Sequence, residues 1–70
     1  MKPPRAPINT PTKAKRARAY LGLDKSAMAR TLRLGDNGRA TIARYESEGP
    51  IPGPSQLAYE YLVQQKEQTP

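Results

Sequence analysis

Arg39 and Arg44 are the residues whose type and spacing carry the most chemistry in this chain. They lie in the segment RATIARYES, residues 39–47. Read as a helix, this segment puts Ile42 and Tyr45, three apart, on one face. Arg39, Ala40, Ala43 and Arg44 fall on the other. That outer face is small in the middle and carries a long guanidinium at either end. Such a surface can approach a DNA groove closely, and an arginine can offer two parallel donors to the O6 and N7 acceptors of guanine. An ordinary amphipathic helix with solvated arginines has the same pattern, so the rest of the chain must decide between the two.

The residue inventory narrows the alternatives. There is no histidine and no cysteine, which removes the commonest metal ligands and the commonest general base. Lysine, tyrosine and serine are present, but no spacing sets a nucleophile beside a base. Seventy residues make one domain at most and are too few to enclose a ligand pocket. The expectation is therefore no enzyme, no cofactor, no metal and no small-molecule substrate. No apolar run is long enough to span a bilayer, and the N-terminus lacks the apolar core of a signal peptide. The absence of cysteine suits a reducing compartment, so a cytoplasmic location is expected.

Charge is unevenly placed. The formal net charge is +6. Residues 1–18 hold Lys2, Arg5, Lys13, Lys15, Arg16 and Arg18 and no acid, whereas residues 19–48 and 49–70 are nearly balanced. A localised basic block points to a polyanion, nucleic acid before an acidic protein. Residues 1–18 contain no Leu, Phe or Trp to insert into a membrane surface.

The elements that must position these residues can be read in order. Residues 1–11 contain four of the eight prolines and read as a disordered basic arm that contributes nothing to the core. A first helix is expected from Pro11 or Thr12 to Leu21, capped by Thr10 or Thr12, with Ala14, Ala17 and Leu21 as its apolar stripe. Gly22 ends it in a left-handed cap, with Leu23 packing back. Asp24 caps a second helix, Lys25 to about Leu32, with Met28, Ala29 and Leu32 inward. Gly35-Asp36-Asn37-Gly38 is a turn, from which Asp36 or Asn37 caps the third helix, Arg39 to Ser47. Pro50-Ile51-Pro52-Gly53-Pro54 is a stiff connection anchored by Ile51. The fourth helix starts at Gly53 or Pro54 and runs to about Gln65, burying Leu57, Ala58, Tyr61 and Leu62. Residues 66–70 form a frayed tail.

The segments Leu21-Gly22-Leu23-Asp24, Ala27-Met28-Ala29-Arg30, Thr41-Ile42-Ala43-Arg44-Tyr45-Glu46 and Pro50-Ile51-Pro52-Gly53-Pro54 come in an order that resembles the lambda-repressor-like helix-turn-helix family of the Xre or Cro type. The resemblance covers roughly residues 12–65. It implies an all-α, compact four-helix helix-turn-helix domain, with the disordered basic arm before it and the tail after it. It also implies a sequence-specific regulator of transcription, of the kind found in phages and mobile elements, with double-stranded DNA as partner. By that resemblance Lys25 sits where a phosphate is gripped, and Arg39, Ala40 and Arg44 sit where base edges are met. Thr41 and Ser47 are matching phosphate contacts. The chain departs from the family at the turn, where Arg33 stands in place of the usual glycine and the connection is about three residues longer. That length brings Asn37 into the set of candidate base contacts.

Further expectations concern gripping and assembly. Among the bases of the first helix, Lys13 and Arg16 are candidate phosphate contacts, and Lys2 and Arg5 are candidate contacts of the arm with a minor groove. Glu46 and Glu48 are expected to be structural or solvated. One helix-turn-helix reads a half-site, so a homodimer on a palindromic operator is expected. Tyr59 and Val63, which look too exposed for a monomer, are its candidate interface. The competing reading is a small protein-binding module, such as a phage inhibitor, that grips an acidic partner with the basic face.

Overall fold

The fold is built from helices whose ends have local causes. The computed structural model describes residues 2–68. Among these it contains four helices and no strand: α1 (Pro11–Leu21), α2 (Lys25–Thr31), α3 (Gly38–Ser47) and α4 (Gly53–Gln68). The all-helical, four-helix expectation is met. Thr10 opens α1 by accepting the Lys13 N–H on its hydroxyl at 3.2 Å, with Pro11 at the first helical position. Gly22 closes it at φ +73°, and the Leu23 N–H donates to the Arg18 carbonyl at 3.3 Å. Asp24 opens α2 by accepting the Ala27 N–H at 2.7 Å.

The end of α2 repeats the same closure with a less suitable residue. The Leu34 N–H donates to the Ala29 carbonyl at 3.0 Å, and Arg33 takes the left-handed conformation at φ +57°. A residue with a Cβ pays on the order of 1 kcal/mol for that backbone. Arg33→Gly is therefore expected to raise stability by about 0.5 kcal/mol, the gain being reduced by the greater freedom of an unfolded glycine. Urea unfolding followed by circular dichroism checks this. A lower midpoint would mean that the guanidinium contributes more to the fold than its backbone costs.

The entry to α3 differs from the sequence reading. The helix begins at Gly38, one residue early, and Asn37 occupies the cap position without any side-chain cap bond. The turn is closed by backbone instead: the Gly38 N–H donates to the Gly35 carbonyl at 3.0 Å. Gly38 is required for another reason. A Cβ there would stand 2.7 Å from the Ala29 Cβ and 3.0 Å from the Leu34 Cβ, so only glycine lets α3 cross so close over α2.

The core draws on every element. Ala14 and Ala17 come from α1, Met28 and Ala29 from α2, Ile42 and Tyr45 from α3, and Tyr59 and Val63 from α4. Ile51 anchors the proline-rich connection, as expected. α3 packs on both α1 and α2, and α4 lies against α1. Residues 2–10 carry no helix or strand, in keeping with their prolines. The expectation that they add nothing to the core is overturned by Ile8, which is 1% exposed and whose N–H donates to the Glu60 carboxylate at 3.1 Å. Pro4 is buried as well. An apolar side chain that finds a site on α4 leaves water whatever the composition around it.

α4 is turned relative to expectation. Tyr59 is fully buried and Val63 nearly so, whereas Leu57 and Tyr61 are 66% and 60% exposed. The inward row is Ser55, Tyr59 and Val63, spaced by four, and it meets α1, the end of α3 and Ile8. Tyr59 and Val63 thus belong to the core and cannot form a dimer interface. α4 also outruns its expected end at Gln65, reaching Gln68. Lys66 holds this last turn: its ammonium donates to the Tyr20 carbonyl and lies 4.7 Å from the centroid of the Tyr20 ring. A cation is favoured at a helix C-terminus and over a ring face. The last two residues of the expected tail, Thr69 and Pro70, lie outside the described residues, as does Met1. Among the described residues no helix is long and apolar enough to cross a membrane.

Candidate nucleic-acid interface

α3 is fixed at three points, which leaves one face free. At its start Gly38 is buried against Ala29 and Leu34. In its middle Ile42 is fully buried. Toward its end the Tyr45 hydroxyl lies 3.2 Å from the Ser55 hydroxyl of α4. Glu46 is clamped in addition by Arg18 of α1: Nε and Nη2 donate to its two carboxylate oxygens at 2.6 and 3.0 Å, and Nη1 donates to the Leu23 carbonyl at 3.1 Å. The Arg18 side chain is 18% exposed and that of Glu46 only 5%. The hydrogen bond to Glu46 holds the guanidinium pKa above its ordinary value, against the effect of burial.

Tyr59 lies beside this pair. Burial pushes its phenol well above the ordinary tyrosine range, Glu46 and Tyr45 add to the rise, and Arg18 opposes it. Among the described residues its hydroxyl has no hydrogen-bond partner. Sequence reasoning counted Arg18 only as one base of the block in residues 1–18 and missed the clamp. Arg18 and Glu46 are 28 positions apart, and no local spacing marks them as partners.

The face left free is the one read from the sequence. Arg39, Ala40 and Arg44 are exposed, and Ala43 between them is half-buried. Asn37 is exposed at the head of the helix. Lys25 comes together with Arg39: both line an open groove of about 410 Å³ with Arg18, Asp24 and Ser26. Three cations therefore share one concavity. The acid beside them, Asp24, is engaged by the Ala27 N–H.

The other candidates are not gathered at that groove. The hydroxyls of Thr41 and Ser47 donate to their own helix, Thr41 to the Asn37 carbonyl at 3.1 Å and Ser47 to the Ala43 carbonyl at 3.0 Å. They can accept from a partner, but their protons are engaged in this arrangement. Arg16 is exposed on the side of α1 away from Ala14 and Ala17. Lys13 donates to the Pro7 carbonyl at 3.2 Å, tying the arm to α1. Lys2 and Arg5 line a second groove of about 390 Å³, formed between the arm and α4 and also walled by Glu60 and Glu67. Comparison with family models, curated proteins and solved structures returns no match for this chain.

Proposed function

We propose that this chain is a sequence-specific, double-stranded DNA-binding regulator, a repressor or autoregulator, that enters the major groove with α3. The observation that carries the reading is the free face of α3, with Arg39, Ala40 and Arg44 exposed on a helix pinned from behind. Lys25 beside Arg39 in one groove supplies a cation where a flanking phosphate would run. A rigid helix with two guanidinium groups around a short-side-chain centre suits base-edge recognition, and a net charge of +6 suits a polyanion. The binding unit on a palindromic operator is a homodimer.

The direct test is a titration of the protein into a duplex from the region upstream of its own gene and into a random duplex, at one fixed salt. Tighter binding of the first supports the reading. Equal, weak binding of both, together with capture of an acidic protein, would favour the protein-binding alternative.

Two substitutions then separate reading from gripping. Arg44→Ala is expected to cost about 1–3 kcal/mol of affinity on the operator and much less on random duplex, because a bidentate guanine contact exists only at the operator. Lys25→Ala is expected to weaken both duplexes alike, since a phosphate carries no sequence. Both side chains lie outside the core, so melting temperature is expected to hold. Equal losses on the two duplexes for Arg44→Ala would show that it grips the backbone, leaving Arg39 or Asn37 as the reader.

A further inference from the structure

The arm meets α4 through a groove whose two sides carry opposite charge. Lys2 and Arg5 line it from the arm, and Glu60 and Glu67 line it from α4. Pro4, Ile8 and Val63, all buried, line it as well. The charges here are arranged unlike those of the Arg18–Glu46 clamp, which touch at 2.6 Å. Lys2, Arg5 and Glu67 are exposed, and among the described residues none of the three makes a hydrogen bond or a direct ion pair. Opposite charges that face each other across water attract weakly and are readily exchanged for other ions. The far end of the arm is fixed more firmly. The Ile8 N–H donates to the Glu60 carboxylate at 3.1 Å, and Lys13 donates to the Pro7 carbonyl at 3.2 Å. Residues 2–6 can therefore lift while Ile8 stays in place. Lifting uncovers Pro4, which keeps the closed arrangement dominant.

We propose that the arm is an autoinhibitory strap: Glu60 and Glu67 draw Lys2 and Arg5 toward α4, and the strap must lift before those cations reach a polyanion. Residues 1–18 contain no acid of their own, so the opposing charge is brought by the fold from the last helix. A phosphate that approaches the closed groove meets two carboxylates of its own sign. The strap thus subtracts the charge of the arm from the surface that a passing duplex meets. Apparent affinity is scaled by the fraction of molecules with the strap lifted. The identity of the polyanion rests on the DNA-binding reading, whereas the closure of the arm on α4 does not. A strap that only covers α4 would loosen when its acids are removed, without any gain in binding.

The test is the double variant Glu60→Gln with Glu67→Gln. Glutamine keeps a carbonyl oxygen for the Ile8 N–H, so the charge is lost and the attachment point is kept. Without DNA, limited trypsin digestion reads the opening. Lys2 is followed by proline, which trypsin does not cut, so Arg5–Ala6 is the cleavable bond of the strap. The rate at which residues 1–5 are lost tracks the open population. It is expected to rise about two- to fivefold over the native chain, the worth of weak, exposed charge pairs. Affinity for a random duplex at one fixed low salt is expected to rise by a similar factor.

The same two glutamines are then placed in a chain that carries Lys2→Ala and Arg5→Ala. There the gain in affinity is expected to vanish, because no cation is left to release. A gain that persists in that chain shows that the glutamines act through net charge alone and overturns the inference. So does an unchanged cleavage rate, or faster cleavage without tighter binding in a chain whose native form binds the duplex. A native chain that binds no duplex sinks the DNA-binding reading, and the cleavage rate alone then decides the strap. If the double variant melts early by circular dichroism, Glu67→Gln, altered at an exposed position, decides by the same criteria.

Discussion

Arg18→Ala is expected to cost about 3–5 kcal/mol of folding stability, and Glu46→Ala about 2–3 kcal/mol, with the inequality itself being informative. The bidentate pair between α1 and α3 is short on both arms, 2.6 and 3.0 Å. Its two ends differ in burial: the Glu46 side chain is 5% exposed and the Arg18 side chain 18%. Removing Arg18 strands a carboxylate in the interior. Removing Glu46 strands a guanidinium that still reaches the Leu23 carbonyl and borders the open groove with Lys25 and Arg39. A domain of this size has on the order of 3–10 kcal/mol in hand, so Arg18→Ala is expected to lose a large share of its margin against unfolding. Arg18→Lys should rescue little, because an ammonium cannot form the two-pronged contact. Replacing both partners by apolar residues, Arg18→Met with Glu46→Leu, should recover most of the loss, since no charge is then left unpaired. Urea unfolding of the four variants is the measurement. Similar small losses for all of them would mean that the clamp is a surface contact and that α3 is held by Ile42 and Tyr45 alone.

That clamp also marks how much of the molecule can be read from sequence. Local signals were sufficient wherever the cause of a structure is local. Thr10, Pro11, Gly22 and Asp24 define the ends of α1 and the start of α2 through hydrogen bonds spanning at most five residues. The spacing of Ile42 and Tyr45 correctly gives the inner face of α3, and through it the free face with Arg39, Ala40 and Arg44. Three features escape, the first and the third because their causes are distant. Arg18 meets Glu46 only after α1 packs on α3. Arg33 takes the left-handed conformation that glycine would fill, which its identity does not announce. On α4 two rows are apolar, Leu57–Tyr61 and Tyr59–Val63, and periodicity cannot choose between them. The choice is made by what α4 packs against, Tyr45 through Ser55, Tyr20 through Lys66 and the arm through Ile8. The assignment of Tyr59 and Val63 to an interface failed for that reason.

Ile8 carries the second large effect. Ile8→Ala is expected to destabilise the fold by about 3 kcal/mol, the cost of emptying a buried isoleucine site, although the residue lies in a proline-rich segment before the first helix. Its side chain is 1% exposed, its N–H is held by Glu60, and Lys13 secures the neighbouring Pro7 carbonyl. Removing residues 1–10 should cost at least as much, because it also takes away Pro4 and the Thr10 cap of α1. Any loss of DNA affinity in the truncated chain would then mix unfolding with lost charge. The charge of the arm must be tested with Ile8 in place, by Lys2→Ala and Arg5→Ala. Both side chains are exposed, so stability is expected to move by less than about 0.5 kcal/mol. If these residues neutralise phosphates, the slope of log affinity against log salt should become shallower by about 0.9 for each one removed. Unchanged slopes would leave the arm with a single role, covering α4. An unchanged urea midpoint for Ile8→Ala would show instead that α4 keeps Tyr59 and Val63 buried without it.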